Sequence, residues 1–66
     1  MMDNNSFCAA AFGPVLAEIA RDEELTEITP ALQRRAERGW NLTSAAMAAV
    51  VREAERILLA TERTES

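Results

Sequence analysis

Two charge clusters hold most of the side chains that could do chemistry. Between Glu18 and Glu27 lie five acids (Glu18, Asp22, Glu23, Glu24 and Glu27) and one base, Arg21. Downstream, Arg34, Arg35 and Arg38 surround Glu37. Carboxylates can serve as general acids and bases, and guanidinium groups can grip carboxylates or phosphates. The partners that would complete an active site are missing. The chain has no His, and its seven basic residues are all Arg. It therefore lacks the usual base near neutral pH, the commonest metal ligand and any amine for Schiff-base or phosphate chemistry. Cys8 has no cation beside it in sequence and reads as a small buried hydrophobe, not a reactive thiol. We expect no catalysis, no metal and no cofactor.

Binding is what remains. The acidic run reads most simply as a solvated helix end and loop. Its functional reading is a surface for a basic partner, centred on Glu23, Glu24 and Glu27. The Arg34–Arg38 cluster, followed by Gly39 and a further helix, resembles in outline a helix-turn-helix nucleic-acid binder. Against that, the next helix begins Thr43-Ser44-Ala45-Ala46-Met47-Ala48-Ala49. That segment offers little to read base edges, and the net charge is −4. Trp40 reads as a lid over the end of a helical bundle, or alternatively as an exposed interface anchor.

These residues must be positioned by a very small core. At 66 residues the chain allows one domain, residues 1–66. A chain of this size buries only about 60% of its unfolded surface. Apolar residues make up 48%, enough for a core, but aromatics are only 5% and much of the rest is Ala. An internal disulfide is excluded, because Cys8 is the single cysteine. Oligomerisation is the remaining common way to add burial.

The pattern is helical throughout. Residues 1–6 read as a polar tail, with Asn5 or Ser6 as the N-cap. From Phe7 to about Ala20, Cys8, Phe12, Val15, Leu16 and Ile19 share one arc, with Ala11 at its edge and Ala17, Glu18 and Arg21 off it. Pro14 leaves two readings for residues 7–28. A kinked helix runs through it, or a short turn ends at Gly13 and the main helix starts at Pro14. The preference of proline for the first turn favours the second. Thr29-Pro30 predicts a short helix from Pro30 to Arg38, ended by Gly39. Thr43 or Ser44 then caps a long helix reaching about Thr61, with residues 62–66 as a polar tail. Met47, Val50, Val51, Ala54, Ile57 and Leu58 form its core-facing stripe. Leu59 and Ala48 lie outside that stripe on one flank, with Ala45 and Ala49 on the far side.

The fold expected is all-α: a helical hairpin or three-helix domain in which the long C-terminal helix packs on the N-terminal one. The core should hold Phe12, Leu16, Ile19, Leu32, Met47, Val50, Val51, Ala54, Ile57 and Leu58. The exposed Leu59 and the Ala-rich start of the last helix suggest a second helix-on-helix contact, hence a homodimeric bundle. No basic segment precedes the apolar stretch from Phe7 to Ala17, and Gly13-Pro14 interrupts it, so we expect a cytoplasmic protein without a membrane span. Exclusive use of Arg suits a GC-rich bacterial or phage genome. The function expected is a small regulator or inhibitor that binds another protein, with Glu23, Glu24, Glu27, Arg34, Arg35, Arg38, Trp40 and Leu59 as partner contacts. The alternatives are a dimeric DNA-binding regulator and a structural subunit of a larger assembly.

Overall fold

A computed structural model describes residues 3–65, with side chains through Ala60. It contains three helices, α1 (Asn4–Asp22), α2 (Pro30–Trp40) and α3 (Ser44–Glu65). α1 packs chiefly on α3.

Each helix begins at a residue whose side chain satisfies one of its free N–H groups. Asp3 caps α1 through a 2.7 Å bond that its carboxylate accepts from the Ser6 amide. The cap is thus earlier than Asn5 or Ser6, and residues 4–6 are helix, not tail. Thr29 caps α2, its hydroxyl accepting from the Leu32 amide at 3.2 Å, with Pro30 at the first helical position as expected. Thr43 caps α3, accepting from the Ala46 amide at 3.1 Å. α3 continues to Glu65, so residues 62–65 are helical too. The remaining tail positions, residues 1, 2 and 66, lie outside the described residues.

Two local expectations are corrected. Pro14 neither starts a helix nor follows a break, because α1 runs through it. Proline removes the bond to the Ala10 carbonyl. Here Ala10 and Pro14 are both exposed, so water can take the freed carbonyl. The second correction concerns the end of α2. Gly39 is helical, and the left-handed residue is Asn41, with φ of 55°. Asn tolerates that geometry better than most residues with a Cβ. α1 ends in a complete Schellman motif: the Leu25 amide donates to the Ala20 carbonyl at 2.8 Å and the Glu24 amide to Arg21 at 3.0 Å. The left-handed position falls on Glu24, with φ of 60°.

The core lies between α1 and α3. Leu16, Met47 and Val50 are its largest fully buried side chains, with Leu32, Ala54 and Leu58 beside them. Phe12, Ile19, Val51 and Ile57, expected inside, pack against this core only half-buried. Small residues take more of the interior than expected. Ala17, Ala20, Ala36 and Ala46 are buried, as are Gly13 and Ile28, and Cys8 is buried as expected. The buried face of α1 is therefore turned toward its smallest residues: Ala17 is inside, while Val15 is 44% exposed and Ala11 is exposed.

Close approach explains that rotation. A Cβ on Gly13 would lie 2.6 Å from Cγ and 2.9 Å from Cβ of Glu53. Further along the same seam, Ala9 shares a groove with Ala48 and Ala49, and Ala17 one with Ile57. Residue numbers rise together on both sides, so α1 and α3 run parallel. α2 returns between them, with its Trp40 end at Phe12 and its Leu32 end near Ile19.

Candidate functional site

The acidic run and the Arg cluster meet in space. Glu23 follows α1 directly, and the Schellman turn swings the chain toward α2. There an Arg35 Nη donates to the Glu23 carboxylate at 2.5 Å. Both partners are substantially exposed, so the pair orients the edge more than it stabilises it. Glu24 and Glu27 are exposed in the connecting loop, and Arg34 and Arg38 on the outer face of α2. The loop is held from behind. Ile28 is buried, and its amide donates to the Glu55 carboxylate at a long 3.4 Å. The result is one solvent-facing edge, acidic at the loop and basic along α2.

Trp40 closes this edge on its apolar side. Its ring stacks on Phe12 with centroids 4.8 Å apart and planes 28° from parallel. The indole is half-buried. That contact ties the end of α2 to the middle of α1, so the ring packs on the side of α1 and does not cover the end of the bundle. Leu59 stands apart from the rest. It is 58% exposed on α3. By helical periodicity it lies on the side of α3 away from α1.

The alanines of α3 are used differently from the expectation. Ala46 is buried and Ala49 half-buried, and the groove joining Ala45, Ala48 and Ala49 to Asn5, Ser6 and Ala9 shows which helix comes close. That helix is α1 of the same chain. Of the small residues read as a dimer contact, Ala46 and Ala49 serve the internal seam, while Ala45 and Ala48 stay exposed along the groove at its edge.

One surface escaped the residue pattern. On α1, Phe7, Ala10, Ala11, Pro14 and Val15 are all exposed and occupy one continuous face. Phe7 reaches 59% exposure. Between Asp3 and Glu18 the helix has no charged residue. The signal was present in the run from Phe7 to Ala17, which has more apolar residues than one core-facing arc can bury.

Asp3, Glu53 and Arg56 are shifted by hydrogen bonds at the surface. The Asp3 carboxyl sits below the usual carboxylate range because the Ser6 amide bonds its charged form. A hydrogen bond from Arg56 likewise lowers Glu53, and the same bond raises Arg56. Two Arg56 nitrogens grip the Glu53 carboxylate at 2.9 and 2.6 Å. Among the described residues, no cluster of three His, Cys, Asp or Glu could hold a metal, and Cys8 is a buried free thiol. No helix among the described residues is long and apolar enough to cross a membrane. Compared with protein-family models, curated proteins and solved structures, the chain finds no match.

Proposed function

We propose that this chain is a small noncatalytic regulator or inhibitor that acts by binding another protein, and that it works as a homodimer. The observation behind this reading is the Glu23–Arg35 pair. It gathers Glu23, Glu24 and Glu27 with Arg34, Arg35 and Arg38 into one bipolar edge, bounded by Trp40. A partner with the opposite arrangement of charge would be steered onto that edge and held in register. The inventory of side chains supports the same reading: without His or Lys, recognition is the chemistry this surface can perform.

The test uses the full chain, tagged, against a lysate of its native host. A partner should be retained by the wild type and by Leu59→Ser, and lost with Arg34→Glu/Arg38→Glu. Equal retention by the charge-reversed variant would remove the edge from the interface. Failure to retain any partner, with the chain assembling only with itself, would favour a structural subunit.

A second reading has one observation in its favour. α2 and α3 are joined by only Asn41, Leu42 and Thr43, a connection the length of a helix-turn-helix. The exposed start of α3 is Ser44, Ala45 and Ala48, which offers base edges only the short Ser44 hydroxyl before Arg52. Fluorescence anisotropy with a labelled duplex separates the two readings. Binding that weakens steeply with added salt and is lost in Arg34→Glu/Arg38→Glu would replace the protein-binding reading.

A further inference from the structure

We propose that the small basin between α1 and α2 is the anchor pocket of the charged edge, and that its occupant is one phenylalanine- or leucine-sized side chain of the partner protein with a carboxylate beside it. The proposal rests on the protein-binding reading above and names what that edge recognises.

The basin is lined by Ile19 of α1 and by Leu32, Arg35, Ala36, Gly39 and Trp40 of α2, and it measures about 160 Å³. Arg35 and Gly39 are exposed, so it opens to solvent. Both of its ends are held. At one, Arg35 reaches across to Glu23, and at the other Trp40 is braced by its stack on Phe12. Size limits what can enter. Sites for whole small ligands run to about 300–1,000 Å³, whereas about 150 Å³ holds a single benzene ring. One side chain fits this basin, and a free ligand of ordinary size does not. Trp and Arg are also the residues around which interfaces bury their anchors.

Gly39 gives a second, independent observation. It is helical, it lacks the left-handed conformation that requires glycine, and a Cβ on it would meet nothing within 4 Å. Glycine weakens a helix relative to alanine. Neither backbone geometry nor packing within the chain therefore explains glycine here. The position lines the basin, and a large side chain on it would take the space that an incoming one needs.

Charge sets what accompanies the anchor. Arg38 lies one helical turn beyond Arg35 on the α2 bank. Among the described residues neither Arg34 nor Arg38 has an ion-pair partner, whereas Arg35 is already matched by Glu23. On the α1 bank, Asp22 is exposed one turn beyond Ile19. A carboxylate on the partner is thus drawn to Arg38 and repelled from Asp22, which fixes the direction in which the anchor enters.

Short random peptides displayed on phage and selected on the immobilised full chain supply the probe. The selected peptides should share one Phe, Leu or Met within a turn of an Asp or Glu. Trp40 is the single tryptophan, so binding of a peptide without tryptophan should shift its emission. Gly39→Leu fills the basin from its own wall. It should weaken those peptides about tenfold or more, while helicity and melting temperature hold or rise. Gly39→Met is the second variant if Gly39→Leu proves poorly folded. Peptides that share no such anchor, or that bind Gly39→Leu as tightly as the wild type, would overturn the anchor pocket. The partner retained from the lysate separates this failure from that of the edge. Loss with Gly39→Leu as well as with Arg34→Glu/Arg38→Glu supports the pocket. Loss with the charge reversal alone overturns the pocket and leaves the edge standing, and retention by both variants overturns both.

Discussion

The α1–α3 seam and the attachment of α2 are built from opposite materials. Along the seam, Gly13, Ala17, Ala20, Ala46 and Ala54 bring two helices together until backbone geometry sets the spacing. α2 instead hangs on a few large contacts: Leu32 in the core, Trp40 against Phe12, and the exposed Arg35–Glu23 pair. Small side chains bury little area each, about 0.8 kcal/mol per methylene, but lose almost no rotamer entropy. Large ones bury more and leave gaps around them that the next residue must fill. The seam should therefore be intolerant of added volume, and α2 intolerant of removed volume. The charged edge belongs to the more loosely held half, where a binding surface can adjust without disturbing the core.

The largest effect should come from a charge placed where the seam has no water. Val50 is fully buried beside Leu16 and Met47. A domain of this length has a total stability of about 3–10 kcal/mol. An unpaired buried carboxylate costs several kcal/mol, on the order of that whole reserve. Val50→Asp is expected to abolish cooperative unfolding and most helicity at 222 nm. Native-like helicity with a sharp melt would show that the seam is not where stability resides.

Next in size is Gly13→Ala. Alanine is the better helix former by about 1 kcal/mol, so an isolated α1 would gain. In the seam the new methyl meets Glu53 at its Cβ as well as at its more pliable Cγ. The Cβ is fixed to the α3 backbone, so the helices must part. Overpacking of this kind costs about 1–3 kcal/mol and should outweigh the propensity gain. Urea denaturation should show a lower midpoint. An unchanged or raised midpoint would mean the helices separate more easily than the geometry implies.

Removing volume from α2 should have a local effect. Trp40→Ala ends the stacking on Phe12, and for a half-buried ring the loss is about 2 kcal/mol, below the 3–5 of fully buried aromatics. Hydrogen exchange separates the two regions. Amides of α2 should lose protection first, while those of Leu16 and Val50 keep theirs down to the global limit. Uniform loss across all three helices would show that α2 and the seam fold as one unit.

These contrasts also explain what the sequence could reveal. Thr29-Pro30 announced the start of α2 because proline and a capping hydroxyl act locally. The stripe of α3 was readable because Met47, Val50 and Leu58 are large and spaced at the helical period. α1 was misjudged because periodicity weighs Val15 above Ala17, although packing depends on how closely the helices meet. That distance is a property of two helices and cannot be read from one. Pro14 misled for a related reason, since its cost depends on whether the Ala10 carbonyl faces water. The charges were legible as clusters, yet only the turn at Glu24 brings Glu23 to Arg35. No local pattern marked that meeting.

The smallest effect completes the comparison, because it repeats the second with the surroundings removed. Gly39 is helical like Gly13, but an added Cβ there meets nothing within 4 Å. Gly39 also lacks the left-handed conformation that would require glycine. Only the backbone term is left: Ala restricts the unfolded chain and favours the helix, by about 0.5–1 kcal/mol. Gly39→Ala should therefore raise the melting temperature by a few degrees, about 4–8 °C per kcal/mol for a domain of this size. The same substitution thus carries opposite signs at two helical glycines, and the difference isolates the packing contribution of the seam. If both variants were stabilised, propensity alone would govern this fold, and the close approach at Gly13 would carry no energetic weight.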